Sequence, residues 1–155
     1  MTTSTLIYRE ISRRLLLRYV LTSRRRTWAF DGFDDTSAPQ AAWNVGVYMG
    51  VASTDHDLPD WASSLAYHLT AHTMATTSSH RYIVTASLGD QHAAVSVIAL
   101  RGRVTGTVDP ADRDAIRHLA PRSGCHGTPA GPMTYAVIHL PTPGPLKYPR
   151  ISDPG

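Results

Sequence analysis

Between residues 57 and 100 the spacing of apolar residues switches from four to two, and that switch limits the folds open to the chain. Asp57 is a plausible cap and Pro59 an early-turn residue for a helix carrying Trp61, Leu65 and Leu69 on one stripe to about Ala75. After a Thr-Thr-Ser-Ser loop, RYIVTASL (81–88) and HAAVSVIAL (92–100) alternate about a turn at Gly89-Asp90, which reads as a β-hairpin. A helix followed by a hairpin requires layers of different kinds sharing one core.

The flanking segments extend the pattern. Arg26–Phe30 reads as a short strand with Trp28 and Phe30 on one face. Thr36 or Ser37 is a good N-cap and Pro39 suits a first turn. Trp43, Val47 and Val51 then give an apolar stripe on a helix that Gly46 and Gly50 weaken by about 1 kcal/mol each. Asp109-Pro110 opens a further helix with Ile116, Leu119 and Ala120 on one face, ended by Pro121 to Gly124. Met133–Leu140 is the last strand. Helices segregated from strands in this order predict an α+β fold, a two-layer sandwich of a mixed, mostly antiparallel sheet and helices.

Charge divides the chain. Residues 1–26 hold seven arginines against Glu10, a balance of +6, while the remaining eight basic and eleven acidic residues give −3. Residues 6–21 read as an amphipathic helix, with Ile7, Ile11 and Leu15 at spacing four, Leu6 and Val20 near the same face, and Arg9, Arg13 and Arg14 between them. The expected organisation is a basic amphipathic extension at 1–25, one domain at 26–141 and a tail at 142–155. Five prolines and two glycines lie between residues 141 and 155. A single cysteine, Cys125, excludes a disulfide framework within the chain and a cysteine-rich zinc module. Leu15–Leu17 is too short for a signal-peptide core or a membrane span, so the expectation is a cytoplasmic protein with no membrane span.

Four stretches carry a family resemblance: AFDGFDDTSAPQAAW (29–43), LAYHLTAHTM (65–74), IRHLAPRSG (116–124) and YAVIHLP (135–141). In order and spacing, from about Trp28 to Pro141, the chain resembles the small GHKL (Bergerat-fold) ATP-binding proteins. It is similar in particular to the bacterial anti-sigma-factor serine kinases. The resemblance implies a Bergerat-like sandwich and a partner such as a sigma factor or its antagonist.

It also implies where nucleotide chemistry would sit. The family's general-base Glu and magnesium-completing Asn lie four residues apart on one helix face; here His68 and His72 hold those places. Imidazole is a poor substitute for the hard oxygen ligands of Mg²⁺. The family's adenine-reading Asp falls at Ala99 or Leu100, and its Gly-rich phosphate loop falls at DPADRD (109–114). His68, His72 and Ala99 thus mark a degenerate nucleotide pocket, and the resemblance implies a member without kinase activity or normal ATP binding. ATP and magnesium become cofactors only if that pocket still binds them.

Other chemistry in the sequence is sparse. His68 and His72 have a spacing that can hold a metal, given further ligands such as Cys125 and His126. Leu69 occupies the Glu place of an H-E-x-x-H motif, and the pair reads as surface or pocket-wall histidines with no metal. No residue reads as catalytic: Cys125 in a Gly-rich turn reads as inert, and Asp34, Asp35, Asp55 and Asp57 precede helices where capping explains them. Arg13, Arg14, Arg24, Arg25 and Arg26 are candidate anion-binding residues, for nucleic-acid phosphate or an anionic membrane surface. The competing reading packs Leu6, Ile7, Ile11 and Leu15 on the domain or on a second subunit, and it is preferred, with a homodimer as one outcome.

The expected function is a regulatory protein-binding module on a degenerate anti-sigma-type ATPase fold, controlling a transcription factor or its antagonist by sequestration. One alternative is a working ATP-binding protein or serine kinase with altered ligands at His68 and His72. A second is a nucleic-acid-binding protein using the basic segment.

Overall fold

The computed structural model describes residues 24–106 and 110–141. The amphipathic stretch at 6–21 with Arg13 and Arg14, and the tail at 142–155, lie outside the described residues. In chain order the elements are β1 (Arg24–Asp31), α1 (Ser37–Ala52), α2 (Leu58–Thr76), β2 (Thr77–Ser78), β3 (Arg81–Leu88) and β4 (His92–Leu100). They continue with β5 (Arg103–Val104), α3 (Pro110–Leu119), β6 (Arg122–Thr128) and β7 (Gly131–His139). Five strands form one sheet in the order β1-β3-β4-β7-β6, antiparallel at every pairing, and β2 pairs with β5 in a separate short ladder. The expected α+β two-layer arrangement is the one found.

The hairpin behaves as its alternation dictates. Val84 and Ala86 on β3, and Ala93, Val95, Val97 and Ala99 on β4, are buried toward the helices, and the intervening residues face the other side. Gly89 N–H donates to the His92 carbonyl at 2.7 Å, so the turn residues are Asp90 and Gln91, one position later than the sequence suggests. Helix α2 lies at the centre of the helical layer. Leu65 and Leu69 are fully buried, as their spacing predicts, and each contributes roughly 1.5–3 kcal/mol of apolar burial. Trp61 is partly buried and donates its Nε1–H to the Leu119 carbonyl at 2.6 Å, tying α2 to the end of α3. Ile116 and Ala120 on that last segment are buried as expected.

Helix α1 departs from its expected orientation. The stripe Trp43, Val47, Val51 is exposed at 73%, 51% and 86%, whereas Ala41, Val45 and Met49 are fully buried. Both stripes have spacing four, and residues two apart on a helix point about 200° away from each other, so only one stripe can face the core. The ridge between them, Ala42, Gly46 and Gly50, packs against α2, and Ala41, Val45 and Met49 turn into the core. A side chain at Gly46 would stand 3.2 Å from Ser63 Cβ, and Ser63 Oγ donates to the Ala42 carbonyl at 2.9 Å.

Two further local corrections follow from hydrogen bonding. Thr36 occupies the N-cap position of α1, but its side chain makes no cap bond. It donates instead to Asp34 Oδ1 at 2.6 Å and accepts from Gln40 Nε2 at 2.8 Å. Residues 122–128, expected to end a helix and form a Gly-rich turn, are strand β6, paired with β7 from Arg122↔Val137 to Thr128↔Gly131. Its backbone ladder holds it, since its side chains are polar or absent and mostly exposed.

Candidate functional site

Two concave regions stand out, one at each end of the helical layer. The first lies between α2, α3 and the β6–β7 hairpin, has a volume of about 300 Å³, and is lined by His72, Arg113, Ile116, Arg117, Ser123, Gly124, Cys125 and Thr134. His72 is only 4% exposed, and its Nε2 lies 4.0 Å from Cys125 Sγ. Cys125 Sγ is also 3.6 Å from Thr134 Oγ1 on the adjacent strand. The thiol is solvent-exposed and not in a disulfide.

The β6–β7 register creates this grouping. Cys125 pairs with Thr134 and His126 with Met133, so alternation sends Cys125 toward the helices and His126 to the opposite face. There the His126 ring lies 5.4 Å from the Tyr135 ring. Cys125 therefore sits in a strand beside His72, not in a turn beside His126 as a metal-ligand pair would need. Among the described residues no group of three or more His, Cys, Asp or Glu could hold a metal ion.

His68 and His72 are a turn apart but do different things. His68 Nδ1 lies 3.1 Å from Asp112 Oδ1 on α3, in a half-buried pair outside the cavity. Ala99 is fully buried in the core, where its methyl faces the helices. No carboxylate lines the cavity among the described residues, and its donors are imidazole, thiol, hydroxyls and guanidinium. That set does not suit the hard oxygen shell of magnesium.

The second region is a groove of about 360 Å³ between β1 and α1, lined by Arg26, Trp28, Trp43, Asn44, Val47, Tyr48, Val51 and Ala52. Trp28 meets Tyr48 edge to face, with ring centroids 6.0 Å apart, and the Arg26 guanidinium sits 5.8 Å above the Trp28 ring. Burial raises the Tyr48 hydroxyl above the ordinary tyrosine range, partly opposed by the positive charges of Arg24 and Arg26. That hydroxyl is buried and has no hydrogen-bond partner among the described residues.

Of the candidate anion-binding arginines, Arg24, Arg25 and Arg26 belong to edge strand β1, so Arg24 and Arg26 share the Trp28 face and Arg25 points to the other. The acidic residues before the helices close turns. Asp34 accepts from Thr36 and is held below the usual carboxylate range, first by the Thr36 hydroxyl and then by its N–H. Asp55 Oδ1 accepts from the Asp57 N–H at 2.9 Å. Sequence reasoning missed Arg113 and Arg117, although their spacing of four places both on one side of α3.

No helix among the described residues is long and apolar enough to cross a membrane. In comparisons with known proteins, no family model matches the chain and no curated protein matches it.

Proposed function

We propose that the protein is a regulatory protein-binding module, built on a degenerate anti-sigma-type ATPase fold, that sequesters a transcription factor or its antagonist. The observation that carries this reading is the exposed stripe Trp43, Val47 and Val51. It adjoins a groove that holds Trp28, Arg26 and the unpartnered Tyr48 hydroxyl. Tryptophan, tyrosine and arginine are the residues that dominate binding energy at protein interfaces, and a contiguous apolar patch on a small domain marks such a surface. The cavity beside His72 supports the loss of kinase activity, because no acidic residue among the described residues lines it to act as general base or to hold magnesium.

The test is direct. A sigma factor or anti-sigma antagonist captured by the wild-type chain is lost in a Trp43→Asp/Val47→Asp variant of unchanged stability, and retained capture would sink the reading. Calorimetry with ATP and Mg²⁺ gives no heat. Micromolar binding abolished by His72→Ala would favour the kinase alternative instead.

A further inference from the structure

The cavity of α2, α3 and the β6–β7 hairpin has a character that the protein-binding reading leaves unused. Arg113 and Arg117 both line it from α3. The one carboxylate ion pair among the described residues is Asp112 with His68, so neither guanidinium is paired with an acid. At the wall, Ser123 and Thr134 offer hydroxyls and Ile116 an apolar surface, while Cys125 presents its thiol to solvent. Two cations and two hydroxyl donors, with no anion among the described residues that line the site, give it a positive local potential. Planar guanidinium forks match carboxylate and phosphate oxygens.

We propose that this cavity binds a small organic anion bearing a carboxylate or phosphate group, clamped by Arg113 and Arg117 and seated over the Cys125 thiol. A volume of about 300 Å³ is at the small end for ligand pockets, which suits a metabolite of a few carbons.

Cys125 is the only cysteine of the chain, so its alkylation reports on this cavity alone. Iodoacetate and iodoacetamide attack the same thiolate, so the ratio of their rates cancels the thiolate fraction and measures the attraction of negative charge. That ratio is expected to be about tenfold higher in the native protein than in the chain unfolded in urea. The Arg113→Gln/Arg117→Gln variant, altered only at exposed positions, should lower it to the unfolded value. Pyrophosphate and succinate are each expected to slow iodoacetamide alkylation of the wild type but not of the double variant. The one effective at lower concentration identifies the preferred anionic group. A native ratio equal to the unfolded one, an unchanged ratio in the double variant, or no protection by either anion overturns the proposal. Protection by magnesium–ATP at far lower concentration than by pyrophosphate also overturns it, in favour of a nucleotide site.

Discussion

The indole of Trp61 and the carbonyl of Leu119 are 58 residues apart in sequence and share a 2.6 Å hydrogen bond that closes α3 onto α2. The last carbonyls of a helix have no partner within it, so this side chain satisfies one of them from a neighbouring element. Trp61→Phe keeps an aromatic six-membered ring and removes the donor. It is expected to cost about 1 kcal/mol in urea unfolding, against roughly 3 kcal/mol for Trp61→Ala. An unchanged urea midpoint in Trp61→Phe would show that the hydrogen bond contributes nothing.

The two stripes of α1 are separable by mutation. Met49→Ala empties a fully buried site and should destabilise by about 2–5 kcal/mol. Val51→Ala, at 86% exposure, should stay within about 0.5 kcal/mol of wild type. The reverse ranking in thermal or urea melts would mean that α1 is rotated about its axis.

Gly131 has φ +141°, and a Cβ there would stand 2.0 Å from the Ala99 carbonyl oxygen. Both the conformation and the contact exclude a side chain, so Gly131→Ala should cost roughly 3 kcal/mol or more. Gly127, in the same hairpin, has nothing within 4 Å of an added Cβ, and Gly127→Ala should change stability by less than about 0.5 kcal/mol. Melting temperatures of the two variants check the contrast.

His92 and His139 face each other across β4 and β7, with His139 Nδ1 and His92 Nε2 3.1 Å apart. Burial, then the His139 charge, then that of Arg122 lower the His92 pKa below its ordinary value of 6.5. The unfolded chain therefore binds more protons than the native state just below pH 6.5, and stability falls as pH drops through that range. The difference between urea midpoints at pH 7.5 and pH 5.5 is expected to shrink in His139→Gln, which removes one of the two neighbouring charges. An unchanged difference counts against the pair as its source.

Much of the fold was legible because two periodicities are physically exclusive. A period of two over residues 81–100 can bury one face only as a strand pair, and a spacing of four through Trp61, Leu65 and Leu69 only as a helix. The stripe on α1 misleads because a second apolar stripe, Ala41, Val45 and Met49, has the same spacing, and the packing of Gly46 against Ser63 is not encoded in either. Strand β6 was illegible for the opposite reason. Arg122, Ser123, Gly124, His126 and Gly127 carry no apolar alternation, and an edge strand needs only a backbone ladder. In the candidate cavity, His72 was visible from helical spacing, but its meeting with Cys125 depends on a register between distant segments that no local pattern encodes.

The outward turn of α1 also gives the protein a built-in optical gauge. Of its three tryptophans, Trp28 and Trp61 pack against the core while Trp43 stands in water. A solvated indole emits at longer wavelength than a packed one, so the red edge of the emission belongs to Trp43. Whatever covers this helix must move that edge to the blue, in unlabelled protein and at spectroscopic concentrations.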